Sequence, residues 1–485
     1  MAREEGELPR EEVERARETA RQGLGHALAE KATDALCLAL SQPPLMRALA
    51  APQLETLGPA PGPEMPAVIE LEAPSVEAEP PPAVEPAGAE SVAAALQEIG
   101  EAASWAEDAL AAASRQSAIR VERDRFYHQL GDLRDQVERG TATLSSGSGR
   151  PPRIGIAAAP VQACWLNSTI RAETNAALLG EVAEHESVER IDLPRRLEGE
   201  AVDVTVESAA AFRAKAGIDG DGILVGVIDS EVQRDHPALA GRVVHRRNYT
   251  QEPFGTPGPH GTTVAGLIAA SSTGFDGMAP AAHVYNYKVL ATQRALNSTD
   301  FEGALAIQHA LEDGVRVVNC SWGSGPATDG TSREARACDA AWRLGLVVVK
   351  SAGNKGPGPS TLTTPADAEG VLVVGATSTD GTAIPDYSSR GPAPGGRQRP
   401  HVVAPGGDFG AEIDGIMLGG GIGALADVGT SFAAPHVTGL VALLLEREPA
   451  LTPDAVRDRV IATCRQLPGV SVDEQGAGLV DPIAL

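Results

Sequence analysis

The chain has 485 residues, enough for more than one domain, and its 42 % hydrophobic and 22 % charged residues are the balance of a globular protein with a sizeable core. A formal net charge of −25 argues against a phosphate-backbone partner, whose affinity comes from Lys and Arg, and no run reaches the ~18 apolar residues that would span a bilayer. The five cysteines, Cys37, Cys164, Cys320, Cys338 and Cys464, follow no zinc or disulfide spacing; Cys320 and Cys464 lie in apolar-rich runs and read as packed thiols.

Residues 1–50 read as helix, first with mixed charge around Glu11 to Arg21 and then Ala- and Leu-rich. The opening MAREEGELPR has no apolar stretch of the kind a secretory signal needs, so the expected location is cytoplasmic. Residues 51–90 are rich in Pro, Glu and Ala and read as an extended linker. From 91 to 145 the pattern is helical again. Val92, Leu96, Ile99, Ala103, Ala106, Leu110 and Ala113 recur at heptad-like steps, which suits a coiled coil or a helical hairpin packed on a neighbour. Self-association or a partner protein engaged through residues 1–145 is the corresponding expectation. The stretch Leu144 to Gly149 reads as a second linker.

Residues 151–205 contain a β-α-β pattern. Val161 to Leu166 alternates as a strand, Glu173 to His185 carries Ala177, Leu178 and Val182 at helical spacing, and Val188 to Leu193 alternates again. From 206 to 485, apolar runs at Leu224–Ile228, Val315–Cys320, Leu346–Lys350 and Val371–Val374 read as buried parallel strands. Helical patterns lie around Thr262–Ala270, Phe301–Glu312, Ser332–Leu344 and Phe432–Leu445. Buried strands alternating with helices predict an α/β fold with a doubly wound, mostly parallel sheet. The run Gly419 to Ala424 fits a GxGxxA pattern only weakly and reads as a flexible loop.

Three residues stand out for chemistry. Asp229 follows the strand Ile223–Ile228, at the carboxyl edge where open α/β sheets place ligands; a capping carboxylate at a strand end has the same appearance. His260 opens a helix with small residues behind it, and imidazole is the side chain best suited to general-base work near neutral pH. No second histidine sits at metal-ligand spacing. Ser431 begins an apolar helix, where unpaired N–H groups face outward; alone it would pass for an N-cap.

Taken together, GVIDS at Gly226–Ser230, HGTT at His260–Thr263 and GTSFAAPHVTG at Gly429–Gly439 resemble the subtilisin-like serine peptidases (subtilases), and His236-Pro237 follows Asp229 at that family's spacing. The resemblance covers about residues 160–485. It implies a serine endopeptidase with Asp229, His260 and Ser431 as triad and an acyl-enzyme intermediate, acting on a protein or peptide substrate. It further implies an oxyanion hole from the Asn354 side chain and the Ser431 N–H, and a substrate-binding wall from Ser321, Trp322, Gly323, Ser351, Gly353 and Lys355. Placed before a unit of this kind, residues 151–205 look like the latter part of an inhibitory propeptide, with Pro194 to about Thr205 along the groove as the maturation cut; a small permanent domain is the other reading. Lys350 and Lys355, two of five lysines, bracket Asn354 and suggest tolerance for acidic side chains before the scissile bond. The pattern departs from the family at Glu231 (usually Gly), Trp322 (usually a smaller apolar residue), Phe432 (usually Met) and Ala238 (often a calcium-ligating Asp), so calcium is not supported and no other cofactor is expected. The alternatives are a catalytically silent binding protein of the same fold, or an effector peptidase whose N-terminal helices mediate assembly.

Overall fold

The computed structural model describes residues 65–71, 113–128, most of 161–192, 198–199, and 216–484 apart from 410–412 and 426, with a few single positions between. The chain divides into two compact units: 1–76, 122–153 and 158–195 form one, and 77–121, 154–157 and 196–485 form the other. The predicted helix over 1–50 and the heptad-like run from Val92 to Leu110 lie outside the described residues. Within the 91–145 segment, residues 113–128 are helical as expected.

The first unit is a four-stranded antiparallel sheet in the order β2-β3-β1-β4, with β1 at Met65–Leu71, β2 at Val161–Cys164, β3 at Thr169–Thr174 and β4 at Val188–Asp192. β1 lies within the segment read as a linker, which corrects that reading. Between Pro66 and Pro74 the segment is free of proline, and Ala67 to Leu71 supplies a mostly apolar run that pairs on both sides, with Val68, Ile69 and Glu70 buried. The helix expected from Glu173 also starts too early. Ser168 turns the chain at φ 54, and the alternating Thr169-Ile170-Arg171-Ala172-Glu173-Thr174 returns as β3. Leu179, Val182 and Ala183 are helical and buried within the range the sequence suggested.

The second unit is built on a seven-stranded parallel sheet. Its strands are β6 (Leu224–Ser230), β7 (Val243–Asn248), β8 (His283–Leu290), β9 (Val317–Cys320), β11 (Val347–Ser351), β12 (Leu372–Thr377) and β13 (Val402–Pro405), in the order β13-β12-β11-β9-β6-β8-β7. Every residue of β9, β11 and β12 is buried, so both faces must be covered. The cover is two helix pairs. α1 (Pro259–Ala269) packs on α4 (Thr430–Arg447), and α2 (Asp300–Glu312) packs on α3 (Arg333–Arg343). This is the predicted doubly wound α/β architecture. Two short antiparallel additions complete it. β5 (Glu198–Gly199) pairs with β10 (Trp322–Gly323), and β14 (Asp414–Met417) pairs with β15 (Gly421–Ala424), so the glycine run read as a loop is half a hairpin.

A polar group tuned by burial lies on α2. Burial first, and then the Arg247 charge, lower the His309 imidazole to about 4, against a pull upward from Asp313. Its Nδ1 meets the Tyr249 hydroxyl at 2.7 Å. The unfolded chain therefore takes up a proton below about 6.5 that the folded chain refuses until about 4, so this contribution to stability is complete above 6.5 and is lost as the pH falls through that window. His401 is shifted in the same direction, chiefly by burial. His309→Gln removes the proton uptake, so its thermal midpoint should lie further below that of the native chain at pH 8 than at pH 5; a deficit independent of pH would refute the account.

Candidate active site

The register of three neighbouring strands sets the site. Ile228 of β6 and Lys350 of β11 both stand opposite Cys320 of β9. The residues that follow, Asp229, Ser321 and Ser351, therefore leave the sheet in one row at its carboxyl edge. All three are buried. The Cys320 thiol beneath them is pushed up to about 12, mainly by burial, and so stays neutral as the packed thiol the sequence suggested. Cys464 is partly exposed, yet its thiol also rises to about 12 through burial.

Asp229 Oδ1 lies 2.7 Å from His260 Nδ1 and also accepts the Ser230 N–H at 2.6 Å. The start of α1 is held against this strand end. Pro259 at the first helical position presets the backbone dihedral. The Gly261 N–H donates to Ser230 Oγ at 2.9 Å, and a Cβ on Gly261 would stand 2.6 Å from the Ser230 carbonyl oxygen, so only glycine lets the two elements approach this closely.

Ser431 sits in the first turn of α4 with its hydroxyl donating to the Ser321 carbonyl at 3.2 Å. The opposite bond is a consequence of Pro435. Lacking an N–H, Pro435 cannot donate to the carbonyl four residues back, and the Ser321 hydroxyl donates to that Ser431 carbonyl instead, at 2.6 Å. Asn319 Nδ2 donates to Ser321 Oγ at 2.8 Å, and Thr438 Oγ1 donates to Asn319 Oδ1 at 3.0 Å, so the helix is tied to β9 at two levels. Phe432 brings α4 to α1, its ring 5.4 Å from the His260 ring.

Asn354 follows β11. Its Oδ1 accepts from the Thr430 N–H at 2.9 Å and from Thr430 Oγ1 at 3.0 Å, which fixes the amide flip and turns Nδ2 the other way. Gly353, at φ 111, donates to Thr430 Oγ1 at 3.1 Å, and a Cβ there would meet Thr363 Oγ1 at 2.8 Å. Lys355 is exposed, and its N–H donates to Ser389 Oγ at 3.0 Å. Lys350 is fully buried and donates to Ser351 Oγ at 2.8 Å. Trp322 is also fully buried, while its backbone and that of Gly323 pair with Gly199 and Glu198. The sequence reading thus named Asp229, His260, Ser431, Asn354, Ser321, Trp322, Gly323, Ser351, Gly353 and Lys355, and missed Asn319, Thr430 and Thr438. Thr430 and Thr438 lie inside the Gly429–Gly439 motif; Asn319 carries no signal beyond a polar residue in an apolar run.

The Glu231 departure has a physical reason. Lys288, fully buried, places its ammonium among Glu231 Oε2 at 3.1 Å, Glu252 Oε2 at 3.0 Å, the Pro253 carbonyl at 3.0 Å and Thr256 Oγ1 at 3.2 Å. Glu231 also accepts the Gly255 and Thr256 N–H groups, and its carbonyl accepts the Gly258 N–H at 2.8 Å. Burial pushes the Glu252 carboxyl up, but hydrogen bonds from Thr292 and Lys288 hold it below the usual range. An internal cation thus organises residues 252–258, the segment that delivers His260. Ala238, by contrast, is buried and offers no ligand. Among the described residues no cluster of three or more His, Cys, Asp or Glu side chains is placed to hold a metal ion. Among the same residues no helix is long and apolar enough to cross a membrane.

Lys288→Met leaves buried Glu252 without its cation and Glu231 with only Arg246, whose guanidinium lies 3.2 Å from Glu231 Oε1, and the chain should lose about 3–5 kcal/mol of stability. Urea denaturation at neutral pH measures it, and a loss within error of an exposed Lys→Met control would refute the cage.

Residues 220–478 match the model of the subtilase family, a peptidase family. The serine protease AprX of Bacillus subtilis (strain 168) is 32 % identical over 317 residues, covering 59 % of this chain and 71 % of that one. The membrane-bound transcription factor site-1 protease of Rattus norvegicus is 33 % identical over 278 residues, covering 55 % of this chain but only 25 % of its own. The solved structure of the prenylagaramide maturation protease PagA superposes with a TM-score of 0.48 at 25 % identity, over 57 % of this chain and 97 % of that one.

Proposed function

The chain belongs to the subtilase family of serine-type endopeptidases, and we propose that Asp229, His260 and Ser431 are its catalytic triad, acting on protein or peptide substrates. The observation that carries this reading is the 2.7 Å contact of His260 Nδ1 with buried Asp229, beside a helix start whose Phe432 ring lies against the imidazole and whose Ser431 opens toward β9. Asp229 holds the tautomer in which Nδ1 carries the proton and leaves Nε2 to act as base. Ser431 Oγ attacks the substrate carbonyl, its proton passes to His260, and His260 returns a proton to the leaving amine. Water then hydrolyses the acyl-enzyme ester.

Developing charge on the carbonyl oxygen is met by the Ser431 N–H at the positive end of α4 and by Asn354 Nδ2, which is already oriented by Thr430. These donors need no rearrangement during the reaction. No Oγ–Nε2 bond is required beforehand, since such contacts tighten when substrate arrives. Substrate backbone would add to β10, as the chain's own β5 does. That pairing supports the view that the chain is made as a zymogen, with residues 194–205 along the groove and cut in maturation. The four described cysteines are free thiols, which supports a working place in a reducing compartment such as the cytoplasm.

A fluorophosphonate probe should label Ser431 of the matured enzyme and leave Ser431→Ala unlabelled; absence of labelling in the native chain would sink the enzyme reading. Asn354→Leu should lower kcat about 10²–10³-fold with little change in KM, and Asp229→Asn about 10⁴-fold. Single-turnover kinetics on a peptide substrate would check both.

A further inference from the structure

The strand expected to receive substrate carries an orphaned donor. Trp322 of β10 is the largest of the fully buried side chains, and its Nε1–H has no hydrogen-bond partner among the described residues. Buried indole N–H groups are ordinarily paired, because a donor cut off from water gives up its hydration and gains nothing in return. Trp342 keeps the rule: its Nε1 donates to Asp454 Oδ1 at 3.0 Å. An exception on the substrate strand points to a partner that arrives with the substrate.

The ladder register identifies that partner. Trp322 stands opposite Gly199 and Gly323 opposite Glu198. Directly opposite residues of an antiparallel pair project from the same face, so the side chain nearest the indole belongs to whichever residue takes the place of Gly199. Glycine has no side chain, and β5 therefore leaves the donor unmet. In an antiparallel pair one step back on β10 is one step forward on its partner. A substrate in this register brings its next residue level with Ser321, the residue to whose carbonyl Ser431 Oγ donates at 3.2 Å. The residue opposite Trp322 is then the second before the scissile bond.

The setting favours a neutral acceptor. Ser324, two positions along from Trp322, donates its hydroxyl to the fully buried Glu334. A carboxylate arriving there would be desolvated beside that acid, whereas a carboxamide oxygen accepts the same bond without the charge. We propose that Trp322 is a specificity-determining residue: its Nε1–H donates to a side-chain carbonyl at the second position before the scissile bond, so the enzyme selects peptides with Asn or Gln there over apolar residues of similar size. The inference rests on the catalytic assignment and the β10 pairing above. A substrate that lacks the acceptor buries the donor unpaired, and that penalty is what lets such a site discriminate.

Peptides differing only in Asn or Leu at that position, two side chains of nearly the same shape, test it on the matured enzyme, with mass spectrometry of the products locating the cut. The native enzyme should prefer Asn by about tenfold or more in kcat/KM. Trp322→Phe keeps an aromatic ring and removes the donor, and its preference should fall to within about twofold of parity. The preference is a ratio within one enzyme, so a general loss of activity in the variant cancels, and the native ratio decides even where the variant fails to fold. Equal rates on the two peptides in the native enzyme, or an Asn preference that persists in Trp322→Phe, overturns this inference while fluorophosphonate labelling of Ser431 still upholds the catalytic assignment; loss of the labelling removes both.

Discussion

Parallel register is the constraint on which the site depends. Because Ile228, Cys320 and Lys350 stand abreast, the three strands release Asp229, Ser321 and Ser351 at one level. A slip of one residue in either pairing would send every side chain of that strand to the opposite face and separate the carboxylate from the rest. The slip is resisted by the strands themselves, whose valines are buried on both sides in β9 and β11, so that misregister would expose no new surface but would wreck packing throughout. The chemistry at the edge borrows its precision from an apolar sheet that takes no part in it.

Two polar devices convert this row into a site. On one side the Lys288 ammonium draws Glu231, Glu252 and the loop carbonyl of Pro253 together, so the entry into α1 is held by internal charge. On the other, Pro435 frees the Ser431 carbonyl for Ser321, and Asn319 and Thr438 repeat the tie about two turns further along. Buried networks of this kind are costly when incomplete and rigid when satisfied. Here they fix two helix starts, carrying an imidazole and a hydroxyl, against strand ends whose positions are already determined.

What could be read from residues alone follows from how local the signal is. Asp229, His260 and Ser431 lie in short runs whose neighbours state their setting: a buried strand before Asp229, small residues behind His260, an apolar helix after Ser431. The alternating strands and helices of the second unit were visible for the same reason. β1 was missed because its partners β3 and β4 lie roughly a hundred residues or more downstream, and nothing in MPAVIEL distinguishes a lone strand from a proline-flanked connector. The false helical start at Glu173 arose because Glu and Ala favour helix locally while pairing with β1 favours strand; tertiary contact prevailed. The role of Glu231 could not be seen because its partner Lys288 stands 57 positions away.

β1 has a consequence for biosynthesis. β2 and β3 can close on each other as soon as both have emerged, since only a short turn joins them. The middle place in their sheet belongs to a strand made long before, which must wait for β3 and β4 to be translated. Closing so long an intervening stretch costs only slowly more with length, so the finished sheet is little weakened. The delay falls on kinetics. While the ribosome is still adding the hundred or so residues that end with β3, β1 presents an unpaired apolar edge, and a nascent-chain chaperone or a neighbouring polypeptide has time to find it.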